Sequence, residues 1–250
     1  MRIDIKKSIG VIPIFLFLVC WEIISRANFV PSYLFPPFSE VLISFVRISL
    51  CGELPYNFLM SFFRVLVGFT LGTSAGILIG VIMGYNQVIE KALNPIFYIL
   101  YPIPTLGWLP LLVIWIGIND LLPITLVFLC SFFPLLYNTM TGVKEVDPQL
   151  IKVAKTLGAS DLQILMDIIF PLALPNIFTG LRLEAGMAWR TVLAAEMIAI
   201  PVGLGALAIK AQSLLLIDVI IDVLIVLSII CLLFEKIFEI IEKKITAAWR

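Results

Sequence analysis

Histidine is absent from the 250-residue chain, which removes the commonest general base and the commonest zinc ligand. Cysteine is scarce and scattered. Cys20, Cys51, Cys130 and Cys231 form no CxxC pair, and three of them lie inside apolar runs. They read as small core residues rather than as disulfides or metal ligands, so no metal site is expected. No G-x-x-x-x-G-K-[ST] phosphate loop occurs anywhere, and any nucleotide used must be bound by another chain. Charge is sparse and balanced, with 17 basic and 17 acidic residues, which leaves no electrostatic case for nucleic acid. An intramembrane hydrolase fits such a composition badly.

What the chain has in abundance is apolar surface. At 61% hydrophobic residues and a mean hydropathy of +1.11 it reads as an all-α membrane protein. One domain, residues 1–250, is expected, with six transmembrane helices at 9–25, 57–85, 93–118, 121–140, 176–200 and 214–238. The first apolar run, Ile9 to Ile24, resembles a signal peptide because Ser25-Arg26-Ala27 imitates a small-x-small cleavage site. Glu22, Arg26 and the bulky Ile24 favour retention. Residues 27–56 carry Pro31, Pro36, Pro37 and Pro55, and read as an extra-membrane connection with a short surface helix after Ser39.

Inside the spans, three features stand out. Gly68, Gly72, Gly76, Gly80 and Gly84 recur every fourth residue, a stripe that lets another helix backbone approach, within one subunit or between two. Pro95, Pro102, Pro104 and Pro110 interrupt the third span, which makes Tyr101–Pro110, with Trp108 in it, either a pathway element or a plain kink. Arg64, Arg190 and Glu196 place charge within spans, where it marks either a structural pair or a wet cavity. From 190 to 196 the helix turns about 600°, so those two side chains are not an intrahelical pair. A route lined by Arg64 or Arg190 suits an anion. Arg182 and Glu184, placed near a cytoplasmic end, are expected to snorkel.

The longest polar interruption is Asp147–Pro171, within a loop at 143–175. Asp147 suits an N-cap and Pro148 the first helical position. Leu150, Val153, Ala154 and Leu157 follow at i, i+3, i+4 and i+7 and draw one apolar stripe, with Lys152 and Lys155 off it. Gly158 sits where a helix C-cap needs positive φ, Ser160 and Asp161 start a second helix, and Pro171 is expected to stop it.

This stretch resembles the EAA loop of binding-protein-dependent ABC transporter permeases: E-A-A, three residues, Gly, nine residues, I-x-L-P. Here Lys152, Val153, Ala154, Gly158, Ile168, Phe170 and Pro171 hold that spacing. Lys152 and Val153 depart from Glu and Ala, and Phe170 replaces Leu. The segments FPPFSEVL, SFFRVLVGF, PIPTLGWLPLLVIWIGI and AWRTVLAAEMI followed by GLG extend the likeness to the subfamily for nitrate, sulfonates and taurine. The resemblance implies a type I importer permease fold with a cytoplasmic coupling helix. It implies ATPase coupling through Leu150, Lys152, Val153, Ala154, Leu157, Gly158, Ile168 and Pro171. It also implies a dimer of permeases, a cytoplasmic ATPase dimer carrying ATP and Mg, and an extracytoplasmic solute-binding protein. The chain itself is expected to bind no cofactor and to catalyse nothing.

Six spans put both termini on one side. Arg2, Lys6, Lys7, Lys91, Lys144, Lys152, Lys155, Lys236, Lys243, Lys244 and Arg250 then face Arg26, Arg47 and Lys210 across the membrane, a positive-inside bias that makes the termini and loop 143–175 cytoplasmic. The expected location is the plasma (inner) membrane of a bacterium or archaeon. Two alternatives stay open: an ion-gradient-driven secondary transporter, for which Glu196 is the one deep acid, and the transmembrane scaffold of a vitamin-type importer.

Overall fold

The computed structural model describes residues 5–27, 29 and 31–246, all helix or connection with no strand among them. Arg2 and Arg250, counted above on the cytoplasmic side, lie outside the described residues. The helices are α1 (Ile5–Arg26), α2 (Phe38–Leu50), α3 (Glu53–Tyr85), α4 (Gln87–Leu100), α5 (Leu109–Ile116), α6 (Leu121–Lys144), α7 (Pro148–Thr156), α8 (Asp161–Gln163), α9 (Phe170–Ala199), α10 (Leu204–Ser213) and α11 (Ile217–Thr246). A 3-10 turn, Thr105–Trp108, precedes α5, and a π-helical segment, Ile164–Ile169, joins α8 to α9.

Four stretches among the described residues are long and apolar enough to cross a membrane: Glu53–Tyr85, Leu121–Lys144, Asp161–Ala199 and Ile217–Ile245. The pair Gln87–Leu100 and Thr105–Ile116 passes the same test only together, bent by 85°. The expected span at 93–118, interrupted by prolines in the sequence, is therefore broken into two helices rather than merely kinked. Pro102 and Pro104 supply no backbone donors, and Pro104 is extended at φ −54°, ψ 133°, so the helical ladder cannot continue through them.

The glycine stripe settles which neighbour it serves. Gly68 meets Ile124 and Val127, Gly72 meets Phe128, Gly76 meets Phe132, Gly80 meets Leu136 and Gly84 meets Val143. All five contacts lie within this chain, on α6. A Cβ on Gly72 would stand 2.6 Å from the Phe128 carbonyl oxygen, closer than any side chain tolerates, so the two backbones touch. Lipid gives helices no hydrophobic reason to associate, and close van der Waals contact of this kind supplies the attraction instead. The register also ascends on both helices together, which makes α3 and α6 parallel. Residues 86–120 must then return across the membrane, and the bent α4–α5 pair is that return.

Three other expectations are corrected. Residues 86–91, left between the expected spans 57–85 and 93–118, are the start of α4, whose N-cap Asn86 accepts from the amides of Val88 and Ile89. Residues 201–213, left between the expected spans 176–200 and 214–238, are mostly α10, which buries Leu204, Leu207, Ala208 and Ala211 in the core. Pro171 does not stop a helix. It cannot donate to the Asp167 carbonyl, and its ring crowds that group. The chain widens into the π segment just before it and runs on, so Asp161–Ala199 is one apolar helix of 39 residues.

Trp189, fully buried, lies at the centre of the main core, stacked on Phe58 at 6.1 Å and edge-on to Phe234 at 5.6 Å. It ties α3, α9 and α11 together. At the other margin, α1 is fastened to the start of α2. The Trp21 indole donates to the Pro36 carbonyl at 3.0 Å, and Ser25 donates to the Phe35 carbonyl at 2.6 Å. The Glu22 carboxylate accepts from the Ser39 amide at 3.1 Å, which places a negative charge at the N-terminus of α2.

Candidate functional site

The loop singled out by sequence begins as a capped helix. Asp147 Oδ1 accepts from the Gln149 amide at 2.8 Å, and Pro148 occupies the first turn of α7. Gly158 takes φ +85°, the left-handed geometry expected of the cap. Ser160 and Gln163 then form a reciprocal capping box that starts α8. Lys155 and Asp161 face each other across the hinge at 3.3 Å.

The apolar stripe of α7 is corrected, because it divides. Ala154 is 8% exposed and packs inward with Val143, Ile164 and Ile169. Leu150, Val153 and Leu157 are 46%, 58% and 82% exposed and form an outward ridge. Position 154 lies 100° round the helix from 153, which is enough to put the smallest side chain against the body and the larger ones outside. Lys152 is exposed, while Ile168 and Pro171 are half-buried beneath the hinge. Beside the ridge is a hollow of about 340 Å³ lined by Leu157, Gly158, Ala159, Gln163, Asp167 and Ile168. Gln163 and Asp167 escaped the sequence reading because only the turn after Gly158 and the widened helix beyond it bring them to the hollow.

Arg64 and Glu196, two of the four residues assigned to a solute route, are brought together at the opposite end of the molecule and sealed. Both are 1% exposed. Arg64 Nη1 donates to Glu196 Oε1 at 2.7 Å and to the Val202 carbonyl at 2.6 Å, while Nη2 and Nε donate to Asp120 Oδ1 at 2.6 and 3.0 Å. Glu196 also accepts from Ser61 Oγ at 2.8 Å and from the Gly205 amide at 3.0 Å, and Ser61 Oγ accepts from the Leu204 amide at 2.9 Å. The GLG segment is shaped around this carboxylate. Gly203 has φ +130°, and a Cβ there would lie 2.3 Å from Glu196 Cδ. In this conformation the pair presents no charge to a solute. It clamps α3, α9, α10 and the turn before α6. Asp120 and Ser61 were not anticipated, since neither belongs to a periodic pattern.

Arg190 is placed differently. It is exposed on α9, and its Nη1 lies 3.6 Å from Met187 Sδ. No ion pair to Arg190 occurs among the described residues. With Leu183, Met187 and Met197 it lies on an open stripe of that helix. Trp108 is half-buried in the 3-10 turn and packs beside Leu109 and Leu112. Next to it, residues 101–104 are non-helical and exposed. Arg182 lies not near a helix end but in the middle of the Asp161–Ala199 helix, half-buried, 3.7 Å from Glu235 and 3.9 Å from Glu242 of α11. Glu184 does not snorkel. It is buried, and the Cys130 thiol donates to its Oε2 at 3.6 Å.

Comparison with known proteins fits this geometry. Residues 72–247 match the family described as the inner membrane component of binding-protein-dependent transport systems. A putative ABC transporter permease of Methanocaldococcus jannaschii is 37% identical over 91% of this chain and 86% of its own length. The taurine transport system permease of Escherichia coli is 33% identical over 97% and 90%. The nitrate import permease of Synechocystis is 35% identical over 74% and 67%. Among solved structures, an amino acid ABC transporter superposes with a TM-score of 0.62 at 17% identity, covering 83% of this chain and 95% of that one. The methionine ABC transporter in an inward-facing conformation gives 0.59 at 19% identity, covering 84% and 98%. With its family match, its relatives and its helical architecture in agreement, the chain belongs to the membrane-spanning permeases of binding-protein-dependent ABC importers.

Proposed function

We propose that this permease works as one of two copies, and that a cytoplasmic ATPase dimer grips α7 of each. The ridge of Leu150, Val153 and Leu157 carries the reading: three large apolar side chains face outward from a short, doubly capped helix outside the spans. ATP and Mg belong to the ATPase, and both termini of the permease lie on the ATPase side. Because α8, the π segment and α9 are continuous, a push on α7 travels along a rod of roughly 60 Å at 1.5 Å per residue. That rod reaches the Glu196 clamp.

The solute route runs past the α4–α5 bend and the open stripe of α9. Irregular backbone at membrane depth is tolerated only where it faces protein or water, and residues 101–104 are uncovered within one copy. Arg190, on that stripe, favours a solute with an anionic group, as taurine and nitrate, named for relatives, have. A solute-binding protein delivers it from the face bearing α10. The acid on which the secondary-transporter alternative was built, Glu196, is paired with Arg64.

Reconstitution tests the reading. Vesicles holding the permease, its ATPase and the binding protein should accumulate 2-aminoethanesulfonate only with ATP inside, and an uncoupler should leave uptake intact. Uptake without the ATPase subunit would overturn it. Small membrane-bound binding proteins among the purification partners would favour the vitamin-type scaffold instead.

A further inference from the structure

The hollow of about 340 Å³ beside the α7 ridge holds a carboxylate that nothing else in the described chain uses. Its walls are Leu157, Gly158, Ala159, Gln163, Asp167 and Ile168, with no lysine or arginine among them. Other acids at this end of the molecule are engaged. Glu90 pairs with Lys144, Glu145 accepts from the side-chain amide of Asn176 at 2.7 Å, Asp147 caps α7, and Asp161 faces Lys155 at 3.3 Å. Asp167 takes part in no hydrogen bond or ion pair among the described residues.

The walls are fixed from beneath. Asp167 and Ile168 belong to the π segment, whose end residues, Ile164 and Ile169, are buried. A widened turn of this kind re-aims side chains that a regular helix would place elsewhere, and it is frequent at functional positions. Gly158 turns the chain at φ +85° and leaves the space beside it empty. The capping box already uses the Gln163 side-chain carbonyl, which accepts from the Ser160 amide at 2.8 Å. The Asp167 carboxylate is therefore the acceptor left for an incoming group. The hollow also lies at the C-terminal end of α7, where the helix dipole is negative, and Lys155 of that last turn is directed to Asp161.

We infer that the hollow receives one long basic side chain, an arginine or a lysine, from the ATPase that grips α7. Its charged head meets Asp167, and its aliphatic stem lies along Leu157, Ala159 and Ile168. An apolar or acidic side chain seated there would cover the carboxylate and leave it unpaired, which is costly. The inference rests on the reading of α7 as the docking helix and makes that contact reciprocal. Leu150, Val153 and Leu157 enter the ATPase, while one ATPase side chain enters the permease. Asp167 thereby helps to determine which ATPase this permease accepts.

Binding of the purified ATPase to the full permease in lipid nanodiscs tests the inference with neither solute nor binding protein present. Asp167→Asn should weaken binding about tenfold, and Asp167→Lys about a hundredfold or more. Added salt should weaken the wild type and affect Asp167→Asn less. The side chain is exposed, so both variants should insert and melt as the wild type does. Scanning the basic surface residues of the ATPase should find one arginine or lysine whose replacement by glutamate restores binding of Asp167→Lys by about tenfold or more. Wild-type affinity in Asp167→Lys, or a defect that no ATPase substitution reverses, would overturn the hollow's role while leaving the docking of α7 in place. A wild-type permease that does not bind the ATPase at all would overturn the docking reading, and the occupant of the hollow with it.

Discussion

Arginine 64 and arginine 190 share a charge and a membrane, and they differ in what surrounds them. Arg64 has three oxygen-bearing partners and almost no exposure, whereas Arg190 has a thioether and an open stripe. Removing Arg64 alone leaves Glu196 buried and uncompensated, which typically costs about 3–5 kcal/mol. Arg64→Met should therefore lower the melting temperature sharply, and Arg64→Met with Glu196→Met should recover most of the loss. A double variant no more stable than the single one would show that the pair is not a closed unit. Arg190→Gln should behave in the opposite way. Its melting should shift by no more than about 0.5 kcal/mol, as for exposed sites, while uptake in the reconstituted complex falls at least tenfold if the change removes about 1.4 kcal/mol of solute attraction. Sequence marked both arginines as costly and could not rank them, because the partners of Arg64 sit 56, 132 and 138 residues away.

At the scale of the element, glycine does two unrelated jobs. In α3 it makes room. Gly72→Val would drive a side chain into the Phe128 carbonyl, and overpacking of this kind costs about 1–3 kcal/mol or more. Gly186→Ala in α9 is the matched control, because a Cβ there meets nothing within 4 Å. It should be neutral, or stabilising by up to about 1 kcal/mol through helix propensity. Thermal melting of the two variants in the same detergent checks both signs. At Gly158 the requirement is conformational, since φ is +85° and the space around it is empty. Gly158→Val places a β-branched residue in the left-handed region at a cost of roughly 1–2 kcal/mol. Membrane insertion should persist while stimulation of the ATPase by solute-loaded binding protein falls. Unchanged stimulation would detach α7 from coupling. The four-residue period of the stripe was legible from sequence, but its partner was not. Parallel α3 and α6 are separated by a returning segment, and local periodicity carries no information about which helix comes back alongside.

On the scale of the whole molecule, two structures at opposite ends are joined by one rod. The α7 ridge and its hollow occupy one end, and the Arg64–Glu196 clamp the other. The 39-residue helix Asp161–Ala199 spans between them. Displacement of α7, once passed across the Gly158 hinge, can reach the clamp along one continuous helix, and the Arg190 stripe and the Glu184 face ride on that helix. Because one copy leaves the bend at 101–104 uncovered, the working particle should contain two. Native mass spectrometry of the purified complex should find two 27.9 kDa permease chains with two ATPases. A single permease per particle would contradict the proposed route.

Composition and local pattern were sufficient for the class of protein, the N-capped helix that opens the 147–171 loop and the left-handed cap at Gly158. Each of these depends on a solvent preference or a backbone rule that acts within a few residues. Tertiary structure alone decided that the third span bends by 85°, that Pro171 lies within a continuous helix, that Ala154 turns inward while Leu150, Val153 and Leu157 stay out, and that Arg64 is locked to Glu196. Those outcomes were set by groups distant in the chain competing for the same few ångströms. A neighbour can satisfy a charge or refuse a side chain only once the helices have met.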